Sequence, residues 1–175
     1  MESTSTSNSS FDSDTVDSLE KSVYSIKLGD INYEDSLKLA EEYKDAGNKL
    51  MQENKLGDAI NKYTDAINLN IETGRNAIYY SNRAWCHNKL ENFGLALTDA
   101  SKAIEIDKNY DKAYFRRASA NLFLFHYDEA VKDLMHLFKK YPNDELVIDK
   151  LKKAQGEVKK KKFFDSISED RSTVE

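Results

Sequence analysis

The chain has 175 residues, 33% of them charged, with one proline, six glycines and a formal net charge of -5. This length suffices for one domain with a core, and the scarcity of proline and glycine favours an almost wholly helical fold over a β-sandwich. The mild acidity argues against nucleic acid as the main partner, and a single cysteine, Cys86, excludes an internal disulfide. There is no long apolar run and no signal peptide at Met1, so we expect no membrane association and a location in the cytoplasm, with the nucleus as a second site.

Residues 1–30 form an acidic tail in which serine and threonine supply ten of the first twenty residues. With few large apolar groups, this segment buries too little surface to offset the entropy lost on ordering, so we predict that it is disordered. We interpret it as a solvated tail, with phosphorylation as an alternative role.

A 34-residue repeat follows in three in-phase copies, at 40–73, 77–110 and 111–144. Each copy divides into two helices separated by a short break, and Gly74, Arg75 and Asn76 lengthen the loop between the first two copies. Large and small residues recur at fixed positions, as stacked helix pairs require. These columns are Tyr43, Tyr80 and Tyr114; Gly47, Ala84 and Ala118; Ala59, Ala96 and Ala130; and Leu56, Phe93 and Tyr127.

A capping helix is predicted at 145–164, because Pro142 ends the preceding helix and Asn143 or Asp144 can cap the next one. Its apolar face would cover the exposed side of the last repeat, as the end of a solenoid requires. That face consists of Val147, Leu151, Ala154 and Val158. We therefore predict an all-α domain at 36–165, a right-handed superhelix of three helix-turn-helix repeats plus a C-terminal capping helix, followed by a linker or disordered tail at 166–175.

Polar residues on the first helix of each repeat fall on the stripe that faces the concave side of such a stack. They are Lys44, Asn48, Asn82, Lys112 and Arg116. Lys112 and Arg116 lie one turn apart with no acid three or four residues away, a like-charge spacing that costs a helix ~0.2–0.5 kcal/mol. Three cations and two carboxamides with no acid among them suit a ligand that carries neighbouring carboxylates, such as an acidic peptide end. Simple solvation of a helix face is the alternative for any one charged pair.

The period, the helix-turn-helix halves and the column residues resemble the tetratricopeptide repeat over about 40–164. The proline usual near a repeat's end occurs only as Pro142, with Ile71 and Lys108 in the other copies, which we expect to affect the loops and not the fold.

The five groove residues match the dicarboxylate-clamp class of this family, which holds the C-terminal Glu-Glu-Val-Asp of heat-shock chaperones. The resemblance implies that Lys44, Asn48 and Asn82 bind the carboxylates of the last Asp, and that Lys112 and Arg116 reach the other acids. It implies as partners the tails of the 90-kDa heat-shock chaperones, with the 70-kDa chaperones as further candidates.

Longer runs resemble the N-terminal domain of the serine/threonine protein phosphatase 5 family: NAIYYSNRA (76–84), FGLALTDASKAIEID (93–107), KAYFRRA (112–118) and VKKKKFFDSISED (158–170). In that family the repeat domain lies over the phosphatase active site and keeps activity low, and chaperone tails or fatty acids release it. A family glutamate that contacts the catalytic domain matches Glu91.

No metallophosphatase motif such as Gly-Asp-x-His-Gly occurs in the 175 residues. We therefore predict no enzyme activity and no cofactor for this chain. Two metal ions would belong only to a phosphatase domain outside it, and an N-terminal fragment of such an enzyme is the favoured reading. A free-standing adaptor co-chaperone without a catalytic domain is the alternative, and a scaffold that binds on its convex side is a third.

Other chemistry-bearing residues favour structural roles. Cys86 shares a packing column with Ala120, and adjacent helix residues such as Cys86 and His87 point about 100° apart, too far for a nucleophile and its base. The histidines lack a ligand partner four residues away, so no metal site is predicted.

The run Lys159–Lys162 is interpreted as a solvated helix end that faces the negative end of the helix dipole. Phe163 and Phe164 either hold the end of the cap helix or contact another domain.

Overall fold

The computed structural model describes residues 32–69 and 74–172, with side chains as far as residue 167, and this part of the chain consists of seven α-helices. They are α1 (Tyr33–Gln52), α2 (Leu56–Asn68), α3 (Asn76–Lys89), α4 (Phe93–Ile106), α5 (Asp111–Phe123), α6 (Tyr127–Lys140) and α7 (Glu145–Ser172). The tail predicted at 1–30 lies outside the described residues. Within them, no helix is both long and apolar enough to cross a membrane.

Each helix packs against the next one along the chain, and α3 also packs on α5, so the pairs α1–α2, α3–α4 and α5–α6 stack in order. Most of the buried apolar residues in the described part are alanines. Because alanine lets two helix backbones approach closely, the pairs nest and their first helices line one side of the stack. The prediction of an all-α superhelix of helix-turn-helix repeats is confirmed.

Packing requires a glycine at one position of α1. A Cβ atom added at Gly47 in α1 would lie 2.7 Å from Cε1 of Tyr63, and the Tyr63 ring is completely buried. Such a distance is shorter than real Cβ contacts, so the small residue at 47 makes room for the large one at 63.

The two helices of each pair are joined by the same tight turn. Asn54, Glu91 and Phe125 have φ angles of 58°, 60° and 61°. In all three turns the N–H of the following residue donates to a carbonyl five positions earlier at 2.9 Å, which is the Schellman arrangement. This left-handed conformation is costly for any residue with a Cβ, so the turns hold Glu91 and Phe125 in strained but well-defined positions.

Cys86 is buried beside Leu56, Ala59 and Tyr63, and burial raises the pKa of its thiol to about 11. The packing role predicted for this residue is confirmed.

The last helix begins as predicted and ends later. Asp144 provides the N-cap, because its Oδ1 accepts from the N–H groups of Leu146 at 2.9 Å and Val147 at 3.2 Å. Val147, Leu151 and Ala154 are buried in one cluster with residues of α5 and α6, so α7 covers the end of the stack. The helix continues to Ser172, past the predicted end at 164 and through most of the segment expected to be a linker, since no proline or glycine follows Gly156.

Near its end α7 lacks a buried face. Lys159–Lys162 are exposed, and Lys160 pairs with Glu157 at 2.6 Å. Phe163 and Phe164 are also exposed and contact each other edge to face, with ring centroids 5.8 Å apart. In the described residues, this aromatic pair therefore does not fasten α7 to the core.

Candidate functional site

Three polar side chains from α1, α3 and α5 form a continuous hydrogen-bonded row, here called the polar ladder: Asn48, Asn82 and Arg116. Oδ1 of Asn48 accepts from Nδ2 of Asn82 at 3.1 Å, and Oδ1 of Asn82 accepts from Nη1 of Arg116 at 3.2 Å. The buried Tyr63 supports the first step, since its hydroxyl donates to Oδ1 of Asn48 at 2.8 Å. Nη1 of Arg116 also donates to the hydroxyl of Ser81. The structure thus brings three of the five predicted groove residues into direct contact.

Arg116 carries a largely buried charge. Burial lowers the pKa of its guanidinium, and no described carboxylate lies within ion-pair distance of it. Its Nε and Nη2 make no hydrogen bond to a described residue, while Asn88 fixes its backbone by donating to the Arg116 carbonyl at 2.9 Å. A buried cation without an acid is rare in proteins, because the lost hydration is normally replaced by a partner. The side chain is therefore preorganised to receive an anion.

Lys112 is exposed one turn before Arg116, and both side chains line a cavity of about 340 Å³. Most of the cavity wall is apolar and comes from Trp85, Phe115, Leu137, Leu146 and Val147.

Two acids also line this cavity; each has partners on one carboxylate oxygen, while Oδ1 of Asp111 is buried without a hydrogen-bond partner among the described residues. Oδ2 of Asp111 accepts from Lys140 and from Tyr141, each at 2.6 Å, and Asp144 caps α7. The Lys112 side of the cavity thus combines an apolar wall with two cations.

Lys44 departs from the sequence interpretation. The groove was expected to hold no acid, yet Nζ of Lys44 lies 2.7 Å from Oε2 of Glu41 and 3.1 Å from Oδ1 of Asp45. The hydrogen bond to Glu41 is the main cause of the raised pKa of Lys44. Glu41 is in turn held by the hydroxyl of Tyr79, which donates to its Oε1 at 2.7 Å, and by Arg75 at 3.6 Å. Lys44 is one turn from Asn48 but its charge is already shared with two acids.

Glu91 is exposed in the turn between α3 and α4, in the left-handed conformation described above. It lines a second cavity, of about 350 Å³, whose other walls include Arg116. The two cavities share Trp85, Phe115 and Arg116, so they are neighbouring parts of one groove. Glu91 makes no ion pair with a described residue.

Two arginines that join the two helices of a repeat next to the groove were not identified from the sequence. Arg83 and Arg117 directly follow two ladder residues, and each makes a two-pronged ion pair with an acid on the second helix of its own repeat. Arg83 contacts Asp99 at 2.7 Å through both Nε and Nη2, and Arg117 contacts Asp133 at 2.9 and 2.7 Å. Both pairs recur at the 34-residue period, and that recurrence is the signal that could have found them.

No protein-family model matches the chain. Among solved structures, the Arabidopsis OM64 TPR domain is 36% identical with a TM-score of 0.65, and the match covers 69% of this chain and 98% of that domain. The chain belongs to the tetratricopeptide-repeat (TPR) domains. The first TPR of Spaghetti (RPAP3), bound to the HSP90 peptide SRMEEVD, is 28% identical with a TM-score of 0.66, over 70% of this chain and 94% of that one.

Among whole proteins, serine/threonine-protein phosphatase 5 of Rattus norvegicus is 39% identical over 145 residues. The match covers 81% of this chain and 28% of the phosphatase, so this chain spans less than a third of that relative's length. The predicted resemblance to the tetratricopeptide repeat and to the phosphatase 5 family is confirmed.

Proposed function

We propose that this domain binds the acidic C-terminal tails of heat-shock chaperones, of the Glu-Glu-Val-Asp type, in the groove that contains the polar ladder. The observation that carries the proposal is Arg116, a mostly buried cation with free N–H groups and no acid partner among the described residues. The similar TPR domain of Spaghetti binds the HSP90 peptide SRMEEVD, which ends in this motif. The 90-kDa chaperones are therefore the first candidate partners, and the 70-kDa chaperones the second.

The ladder supplies donors for the end of such a tail. Because Oδ1 of Asn48 already accepts two hydrogen bonds, its Nδ2 group is left to donate to a ligand. One N–H of Asn82 and the Nε and Nη2 groups of Arg116 are likewise unused in the described residues. Charge-assisted hydrogen bonds contribute roughly 1.5–3 kcal/mol each, so a few of them fix a peptide end. Lys112 adds an exposed positive charge for an acid farther along the tail.

Lys44 can contribute to binding only if its existing ion pairs are shared or broken. Its ammonium group can meet the terminal carboxylate only by sharing itself with Glu41 and Asp45 or by leaving them. We therefore assign more of the binding free energy to Arg116 and Lys112 than to Lys44.

Calorimetric titration with the peptide SRMEEVD tests the assignment. Arg116→Ala and Lys112→Ala should each weaken binding at least tenfold, about 1.4 kcal/mol, while circular dichroism shows the helical content retained. Lys102→Ala is the matched control, because it removes an exposed lysine from α4, outside the residues that line the groove. Wild-type affinity in both groove variants would refute the proposal.

We further propose that this domain regulates a metal-dependent serine/threonine phosphatase domain in a longer protein, with Glu91 as a contact. The similarity to phosphatase 5 over a limited share of that enzyme and the exposed position of Glu91 support this reading. Glu91→Ala in the longer protein should raise basal phosphatase activity. A gene whose reading frame continues past Glu175 without metallophosphatase motifs would instead favour a free-standing adaptor.

A further inference from the structure

Lys150 in α7 repeats the position of Arg116. The spacing from Asn82 to Arg116 and from Arg116 to Lys150 is 34 residues in each case, and both cations are the sixth residue of their helix. The cap helix therefore places a third polar side chain in the same register as two members of the ladder, although it closes the stack and has no repeat of its own.

The surroundings of Lys150 are those of a binding cation. The side chain is half-buried and lines the 350 Å³ cavity together with Arg116 and Ser119. Its Nζ lies 5.4 Å from the centre of the Phe115 ring, close enough for a cation–π contact. Phe115 is also a wall of the neighbouring cavity that holds Lys112, so Lys150 faces the same continuous groove.

No described carboxylate neutralises this lysine. None lies within ion-pair distance, and the residues three and four positions away along α7 are apolar except Lys153. Burial, with a smaller contribution from Lys153, lowers the pKa of Lys150. Glu91 lines the same cavity but makes no ion pair with it. Lys89 also lines this cavity, with its Nζ 5.3 Å from the centre of the Trp85 ring, but it is exposed, whereas Lys150 is half-buried.

We propose that Lys150 binds an acidic side chain of the same peptide, N-terminal to its last four residues, and so selects among tails that share those four. This rests on the proposed function. Packed helices lie ~8–10 Å apart, and an extended peptide advances ~3.3 Å per residue. One helix step from Arg116 to Lys150 thus corresponds to about three peptide residues. With the guanidinium of Arg116 on one of the two Glu residues of the last four, the preferred tail carries a carboxylate about that far upstream, before those four.

Peptides derived from SRMEEVD test this directly. Glu or Gln is placed in turn at each of the three residues before the last four, as in SEMEEVD and SQMEEVD, and affinities are measured by calorimetry. Wild-type protein should bind one Glu peptide about three- to tenfold more tightly than its Gln partner. Lys150→Gln should abolish this ratio without changing the affinity for the Gln peptide, and Lys150→Arg should keep it.

Lys152→Gln is the matched control, because it removes an exposed lysine two residues away on the same helix and should preserve the ratio. The inference is overturned if Lys150→Gln leaves the Glu-to-Gln affinity ratio unchanged, or if the wild-type protein shows no preference at any position. In either case, Arg116-dependent binding of SQMEEVD would still uphold the proposed function. Failure of SRMEEVD to bind at all overturns both. Thermal unfolding of each variant verifies that the cap helix remains folded.

Discussion

Replacing Gly47 by alanine tests the connection between the core and the binding groove. The added Cβ would lie 2.7, 2.9 and 3.0 Å from three atoms of the Tyr63 ring. That ring is completely buried and cannot move aside freely, and its hydroxyl is bonded to Asn48 of the polar ladder. The substitution should therefore disturb both the packing and the groove.

The expected size follows from three contributions. Alanine is more favourable than glycine in an open helix interior by about 1 kcal/mol. Overpacking a filled core costs about 1–3 kcal/mol, and losing the hydrogen bond from Tyr63 to Asn48 costs about 0.5–1.5 kcal/mol. The costs exceed the gain, so Gly47→Ala should lower the free energy of unfolding by about 0.5–3.5 kcal/mol.

Urea unfolding followed by circular dichroism measures this change, and calorimetry with SRMEEVD measures the effect on the groove. Gly156→Ala is the matched control, since it lies in the interior of α7 and a Cβ there meets nothing within 4 Å. That variant should be more stable than the wild type by up to about 1 kcal/mol. If Gly47→Ala were stabilised to the same extent with unchanged peptide affinity, the packing argument would be wrong.

Three other properties can be measured. Phe125→Gly should raise the free energy of unfolding by about 0.5–1 kcal/mol in urea titrations, because glycine adopts the left-handed turn without steric cost. Phe125→Ala should show no such gain, since alanine keeps the Cβ, and equal stabilisation by both would contradict this. The pKa of Cys86, raised to about 11, keeps the thiol protonated at pH 8, so a thiol reagent should label the native protein far more slowly than the urea-unfolded one; equal rates would show that the thiol is open to solvent. The affinity for SRMEEVD should fall as salt is added, because the contact joins opposite charges, and a salt-independent affinity would exclude this kind of recognition.

The repeat made most of the fold predictable. In a solenoid each aligned position meets a similar environment, so the small residues Gly47, Ala84 and Ala118 could be assigned to close helix packing from their spacing alone. The end of α7 could not be placed in this way. Beyond residue 158 the sequence has no apolar stripe to suggest a packed helix and no proline or glycine to end one, so the sequence carries no marker for the last turn.

The groove was only partly predictable. The ladder residues lie on the inner faces of the first helices of the repeats, and the alignment of the repeats identifies these faces. The ion pair of Lys44 with Glu41 does not follow from the alignment of the repeats. Glu41 stands three residues earlier on the same helix, but its position is fixed by Tyr79, which reaches it from α3. The 34-residue spacing of Lys150 from Arg116 is visible in the sequence, but the apolar face of its helix predicts only that α7 covers the last repeat.

The carbonyl oxygen of Asn48 faces inward in the structure, fully occupied by the Tyr63 hydroxyl and the Asn82 amide. A rotated amide would present N–H to the N–H of Asn82, so the side chain is locked with its nitrogen pointing away from these two partners. Together with the guanidinium of Arg116, the polar ladder therefore presents hydrogen-bond donors and contains no carboxylate. In the proposed function, a tail whose terminal acid is masked as an amide would bring N–H groups of its own to these donors, so we expect the domain to bind a free chain end more tightly than a blocked one.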